Sequence, residues 1–340
     1  MNRWSLLLLI GLVSAACSKA PHHRVGEDFV AEREGPALPW NSESFDSTDD
    51  RFTFAVFADL TGGERDRVFE IAVAQLNLLR PELVMNVGDL IEGDSKDESG
   101  LEAEWDSFDT RAEAARAPIF YAGGNHDLSG ELLRGVWKKR YGAHYYHFIY
   151  KNALFLVLDT EDNTTERLEE IAAARFAAVE VFKTEGPEAF EKTEYWNMPE
   201  RTAGAIGNAQ RDYFLRVLDD VPNVRWTFLF VHKPAWTNAN VSNFTAIEAA
   251  LTDRPYTVFS GHVQAYAYLE RLGRDYIQMA TTGGLQFPDL GRSMDHLTLV
   301  TVDENGVDIA NLLLSGILDK TGHIPLDGDD VCFESTRCAQ

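Results

Sequence analysis

Short apolar runs that stop at a polar turn alternate with helix-spaced stripes over the first half of the chain. FTFAVFAD, residues 52 to 59, is a buried strand ending at Asp59. After it, DRVFEIAVAQLNLLR carries Val68, Ala72, Leu76 and Leu79 at the spacing of one helix face. LVMNVGD (83 to 89) and APIFYAGGNHD (117 to 127) supply two more apolar runs. Strand, helix, strand, helix, strand predicts a largely parallel sheet with helices packed on its faces.

Farther along, YYHFIY and ALFLVLDT flank Lys151 and Asn152 and predict a hairpin. An acidic helical insertion follows, from about 161 to 206, with Leu168, Ala172, Phe176 and Val179 on one face. AQRDYFLRVLDD predicts a further helix, and WTFLFVHKP, TVFSGHV, YIQMATT and HLTLVTVD predict strands. The turn DENG, 303 to 306, joins the last of these to VDIANLLL as a second hairpin. The fold class is therefore α/β, a pair of mixed sheets flanked by helices in one domain over residues 51–314.

The chain has 340 residues, enough for one large α/β domain with a sizeable core. It holds 54 acidic and 31 basic residues, a net charge of −23. Such a charge repels nucleic acid backbones and anionic membranes at long range. No nucleic acid partner is expected, and the partner chemistry points to a small or locally neutralised substrate. The densely acidic stretch after Asp89 lacks EF-hand spacing and is read as a solvated face.

The N-terminal segment MNRWSLLLLIGLVSAAC has a basic start and an apolar run too short to span a bilayer, which reads as a signal peptide over 1–16. Cys17, after the small residues Ser14, Ala15 and Ala16, resembles the lipidated cysteine of a bacterial lipobox; plain secretion with cleavage after Ala16 is the alternative. Either reading exports the protein, the first as a membrane-anchored lipoprotein of the cell envelope. Residues 17–50 mix Pro, Gly, Ser and charge without period and read as a tether. In an oxidising compartment Cys332 and Cys338, six residues apart in the tail 315–340, are expected to close a disulfide loop.

Metal-competent side chains recur at the C-terminal ends of the predicted strands: Asp59, Asp89, Asn125 with His126, His232 and His262. In open α/β sheets ligands bind in the crevice beyond those ends, so residues scattered in sequence can converge there. A carboxylate such as Asp89 can bridge two cations, Asn125 offers a carbonyl, and the histidines offer imidazole nitrogens.

In the order VFADLTGG, VGDL, GGNHD, VHKP and SGHV, these residues resemble the calcineurin-like metallophosphoesterase family over roughly residues 51 to 314. The resemblance implies an α/β sandwich with two divalent cations at the strand ends, hydrolysing phosphate monoesters or diesters. Two cations about 3.5–4 Å apart would hold a hydroxide and orient its in-line attack on a phosphoryl group. By the same resemblance His126 contacts the phosphate or protonates the leaving group, and Asp127 orients its ring.

The chain departs from the family pattern at two places. The family's D-x-H reads DLT here, and its G-H-x-H reads GHVQ, so Thr61 and Gln264 replace both imidazoles of one metal site. The set Asp89, Asn125, His232 and His262 is intact. Three readings follow. One is a two-metal enzyme with an oxygen-rich site of Asp59, Asp89, Gln264 and Thr61, suited to Mg²⁺, Mn²⁺ or Ca²⁺ rather than Zn²⁺ or Fe. Another is a single-metal hydrolase, and the third a phosphate-binding protein without turnover.

Around that site, Gly62 and Gly63 leave backbone N–H groups uncovered ahead of a helix, suited to a phosphate oxygen, with Arg65 or Arg67 as a supporting charge or simply a solvated helix start. Tyr195, Trp196 and Met198 in the insertion are candidates to touch an organic leaving group or to pack beneath the loop, and Trp236 is the candidate for the pocket rim.

Overall fold

A computed structural model describes residues 23–25, 28–33, 35–46, 50–237 and 242–338. The signal segment and Cys17 lie outside the described residues. Two mixed sheets make the α/β framework. One has five strands, in the order Gly306–Leu313, His296–Asp303, Phe52–Phe57, Leu83–Asn86 and Ile119–Phe120. Its last three strands run parallel, as expected of strand-helix-strand repeats. The eight-stranded sheet is centred on Ala153–Val157, Trp226–Val231 and Tyr256–Ser260, also mutually parallel.

The sheets face each other across an aromatic core. Phe54 of the smaller sheet lies 4.8 Å, centroid to centroid, from Phe228 and 5.3 Å from Phe155 of the larger, both edge-on. The outer face of the five-stranded sheet is covered by helices Val68–Leu79, Glu98–Ala112 and Glu131–Tyr141. Helices Asn208–Asp220 and Ser242–Ala250 cover the other sheet. The expected helix face at Val68, Ala72 and Leu76 is buried. The hairpin at Lys151 and Asn152 forms, both residues adopting positive φ (44° and 59°) as its tight turn requires.

Three local expectations change. Part of the segment read as a tether is built into the domain: Phe29–Ala31 pairs with Tyr146–Tyr150, and Trp40 packs against Phe120 at 5.5 Å. The apolar positions Phe29, Trp40 and Phe45 in that segment have no period because they fill one aromatic cluster rather than one face of an element. The acidic stretch forms the helix Glu98–Ala112, whose Leu101, Trp105, Phe108 and Ala112 are buried beneath its charged face. The insertion is helical, led by Thr165–Glu185 with Thr164 as its N-cap, yet its fully buried face is Leu168, Ile171, Ala172, Arg175 and Ala178, while Phe176 and Val179 are half-buried. Finally, Cys332 and Cys338 are disulfide-bonded, their Cα atoms 5.9 Å apart.

Candidate metal centre and cleft

The strand ends deliver their donors through backbone turns that side-chain-bearing residues rarely adopt. Asp59 (φ 47°), Asp89 (59°), His262 (73°) and Gln264 (57°) all have positive φ, at about 1 kcal/mol or more each. Asp59 and Asp89 end adjacent parallel strands, and their turns are zipped together: the Asp59 N–H donates to the Gly88 carbonyl at 3.2 Å and that of Leu60 to the Asp89 carbonyl at 3.0 Å. Gly88 is required here. It has φ 98°, and a Cβ on it would stand 2.6 Å from the Gly124 nitrogen and 2.8 Å from His232 Nδ1.

His232 and Asp89 form the centre of the site. His232 is fully buried; its Nδ1 donates to the Val87 carbonyl at 2.7 Å. That bond places the lone pair on Nε2, which lies 3.1 Å from both Asp89 Oδ2 and Asn125 Oδ1. His262 stands edge-on to His232 at 5.1 Å, and its Nε2 donates to the Arg201 carbonyl at 2.6 Å, which leaves Nδ1 as its lone-pair nitrogen. Ligand atoms of Asp89, His232 and His262 all fall within 4.8 Å of one another. Asp59 joins the group through the His262 N–H, which reaches its carboxylate at 3.0 Å.

Three observations fit this cluster to cations. Burial pushes the Asp59 carboxyl well above its ordinary range, with His232 opposing the rise and Asp89 adding to it. Burial would lower the His232 imidazole, but Asp89 and its hydrogen bond hold it up at about 9, so a proton is drawn to the place a cation would take. Most directly, Gln264 Oε1 is buried with no hydrogen-bond partner. Its Nε2 donates to the Thr61 carbonyl at 3.0 Å, which fixes the amide's orientation and leaves the oxygen unsatisfied. An orphaned buried carbonyl oxygen suits a hard cation.

Thr61 is turned away from that role. Its buried hydroxyl meets the backbone carbonyls of Ile91 at 2.8 Å and Asp89 at 3.2 Å, because a short side chain in this turn reaches the next loop before it reaches the donors. Asp127 also differs from expectation. Its oxygens accept the N–H groups of Asp89, Gly124, Leu90 and Ile91, at 2.7–3.3 Å, so it locks two loops together instead of orienting His126. The His126 ring is held by the Glu92 carbonyl, 2.7 Å from Nδ1, and its backbone N–H donates to Asp89 Oδ1 at 2.9 Å.

The N–H groups at Gly62 and Gly63 do bind an anion, but it is the chain's own. Glu92 accepts from Gly62, Gly63 and Glu64 at 3.2, 2.9 and 2.8 Å. Arg65 is committed elsewhere: it pairs with buried Asp295 at 2.5 Å and donates to the Cys332 carbonyl at 3.0 Å, stitching the turn to the tail. Arg67 likewise holds the carbonyls of Leu326 and Asp327. Trp236 packs on Tyr276, at 4.9 Å, and beside Phe244 beneath the larger sheet's helices, not at the rim.

The donors open into a cleft of about 510 Å³ whose far wall is the insertion. Sequence reasoning missed residues that the insertion supplies and one that holds the insertion in place. Arg175, 2 % exposed, reaches from the long helix to the carbonyls of Glu92 and Gly93 at 2.9 and 3.0 Å and flanks His126. Lys233, next to His232, is buried against Glu161 at 2.7 Å and donates to the Glu200 carbonyl at 2.6 Å. Tyr195 and Arg201 line the cleft, while Met198 packs into the insertion's own small core.

Residues 52–266 match the family model for calcineurin-like phosphoesterase. The chain belongs to the calcineurin-like phosphoesterase family. No curated protein matches its sequence. Among solved structures, a dimetal phosphatase from Danio rerio is similar at 15 % identity and a TM-score of 0.54, over 77 % of this chain and 96 % of that one. The purple acid phosphatase PPD1 of yellow lupin is similar at 12 % identity and a TM-score of 0.49, over 77 % and 51 %. At these identities the likeness is one of fold.

Proposed function

We propose that the chain is a metal-dependent phosphoesterase working with two divalent cations, exported and anchored through Cys17. The observation that carries the reading is the orphaned Gln264 Oε1 beside a family donor set whose lone pairs converge. Asp89, Asn125, His232 and His262 would hold one cation, and Asp59, Asp89 and Gln264 the other, an oxygen-only set favouring Mg²⁺, Mn²⁺ or Ca²⁺. Bound there, such cations supply Lewis acidity to phosphoryl oxygens and lower the pKa of water.

The chain's own groups do the rest. His126 Nδ1 faces both the Glu92 carbonyl at 2.7 Å and the Arg175 guanidinium at 2.9 Å; with the Nδ1 proton on the carbonyl, Nε2, 4.0 Å from Asp89 Oδ2, is the atom that can take up a proton and pass it to a leaving oxygen. Arg175 holds the Glu92 carbonyl from the other side and keeps that ring in place. Asp127 and Gly88 preserve the loop geometry on which both donor sets depend.

The test is hydrolysis of one chromogenic phosphate monoester and one diester by metal-stripped protein, titrated with Mg²⁺, Mn²⁺, Ca²⁺ and Zn²⁺, with Asp89→Ala as control. Turnover restored by a hard cation and lost in the variant supports the reading. Tight binding of one ion with no turnover under any cation would place the chain among binding proteins that retain the fold.

A further inference from the structure

The geometry points to a phosphate ester with an apolar leaving group as the substrate class, its anionic end met by Arg201; this rests on the phosphoesterase reading above. The cleft above the donors is walled by Val179, Phe182, Phe190 and Tyr195 of the insertion and, opposite, by Leu285 and Phe287. Leu285 begins that wall directly over the metal-side turn, since a Cβ on Gly63 would lie 2.5 Å from its Cγ. Phe182 and Phe287 are 43 % and 42 % exposed, large apolar surfaces left to water beside the proposed reacting centre. Such surface gains from covering by an apolar group, and it offers a sugar or a free phosphate no hydrogen bonds.

The charges in the cleft narrow the class further. Glu92 is spent on three backbone N–H groups, and Asp94 pairs with Lys183 at 2.9 Å and Arg175 at 3.4 Å. Arg201 differs. Among the described residues its guanidinium has no carboxylate partner: Nε donates to the Trp196 carbonyl at 3.2 Å, and the guanidinium carbon lies 3.8 Å from the centroid of the Trp196 ring. Its own carbonyl holds His262, so its backbone is fixed at the donor cluster. One available guanidinium suits a single phosphate group and not a polyphosphate, which would need several.

The test uses full-length, Mn²⁺-loaded protein and calorimetric titration with methyl-, butyl-, hexyl-, octyl- and phenylphosphonate, which cannot be hydrolysed. Affinity is expected to rise with chain length, up to roughly fourfold per buried methylene. Phe182→Ser and Phe287→Ser, at half-exposed positions, should each flatten that dependence, and Arg201→Gln should weaken every member by a common factor near tenfold. Phenyl binding tighter than hexyl identifies an aryl group as the preferred occupant, and the reverse an alkyl chain. Affinity independent of chain length overturns the substrate class. The two readings separate in a parallel assay of glycerol phosphate and octyl phosphate. Chain-length-dependent binding with neither ester hydrolysed under any cation removes the phosphoesterase reading and leaves the apolar ligand class standing. Equal kcat/KM for both esters removes the class alone.

Discussion

His262 Nε2 lies 2.6 Å from the carbonyl oxygen of Arg201, so a turn of the helical insertion sets the tautomer of a histidine in the candidate donor cluster. That turn, Pro199–Arg201, is itself pinned by Lys233, which donates to the Glu200 carbonyl from the residue after His232. The insertion is thereby an outer support of the donor cluster as well as a wall of the cleft.

Replacing Lys233 with Met tests that support. Glu161, whose carboxyl burial already raises, would be left buried without its partner, at a cost of about 3–5 kcal/mol. Denaturant unfolding should show that loss, and Lys233→Met/Glu161→Leu should recover part of it. With the turn released, affinity for Mn²⁺ should fall roughly 10–100-fold in calorimetry in both variants. Unchanged Mn²⁺ affinity in the double variant would mean that Lys233 stabilises the fold without positioning His262.

Gln264→Leu removes the orphaned oxygen while keeping a side chain of similar size. The expected outcome is a fall in Mn²⁺ stoichiometry from two per chain to one, with the site of Asp89, His232 and His262 still filled. Elemental analysis after dialysis reads this directly. Two ions retained in the variant would show that Gln264 Oε1 is not a ligand.

The strands, the convergence of polar side chains at their ends and the family were legible because a strand's polar terminus is a local feature: the apolar run and the residue that stops it are neighbours in sequence. Asp59, Asp89, Asn125, His232 and His262 all came from that signal. Arg175 and Lys233 carried none, because each reaches a backbone carbonyl of a loop distant in sequence, and carbonyls look alike at every residue; Arg201 carried none because what it offers His262 is its own backbone carbonyl. Arg175 also rotated the insertion's buried face away from its apolar stripe, since a guanidinium with several acceptors can be buried where a pattern of Leu and Phe would not place it. At Gly62 and Gly63 the anion preference was legible but its occupant was not: Glu92, 30 residues on, fills it. Arg65 and Trp236 were misplaced for a related reason, as proximity in sequence to a ligand does not fix which way a side chain leaves the backbone.

Glu92→Ala frees the three N–H groups at Gly62, Gly63 and Glu64. Two of these are partly exposed to water, so the expected cost is modest, about 1 kcal/mol. Millimolar sulfate should then raise the melting temperature of the variant more than that of the wild type, by supplying the missing acceptor. Equal sulfate effects on both proteins would show that the turn selects the Glu92 carboxylate specifically.

His296 predicts an acid-sensitive fold independent of the metals. It is fully buried, accepts the Ala280 N–H at 3.0 Å through Nε2, and is held at a pKa of about 3, by burial first and by Arg292 second. The unfolded imidazole titrates near 6.5. Between these values the unfolded chain binds the extra proton, so stability rises with pH there. The contribution is complete above about pH 6.5 and is lost as pH falls toward 3, at a limiting slope of about 1.4 kcal/mol per pH unit. His296→Gln, which can still accept from Ala280, should lack that slope. Urea unfolding of both proteins at pH 7, 6, 5 and 4 measures it: the wild type should lose more stability than the variant over the series, and parallel curves would mean that the imidazole becomes charged within the folded protein at an ordinary pH.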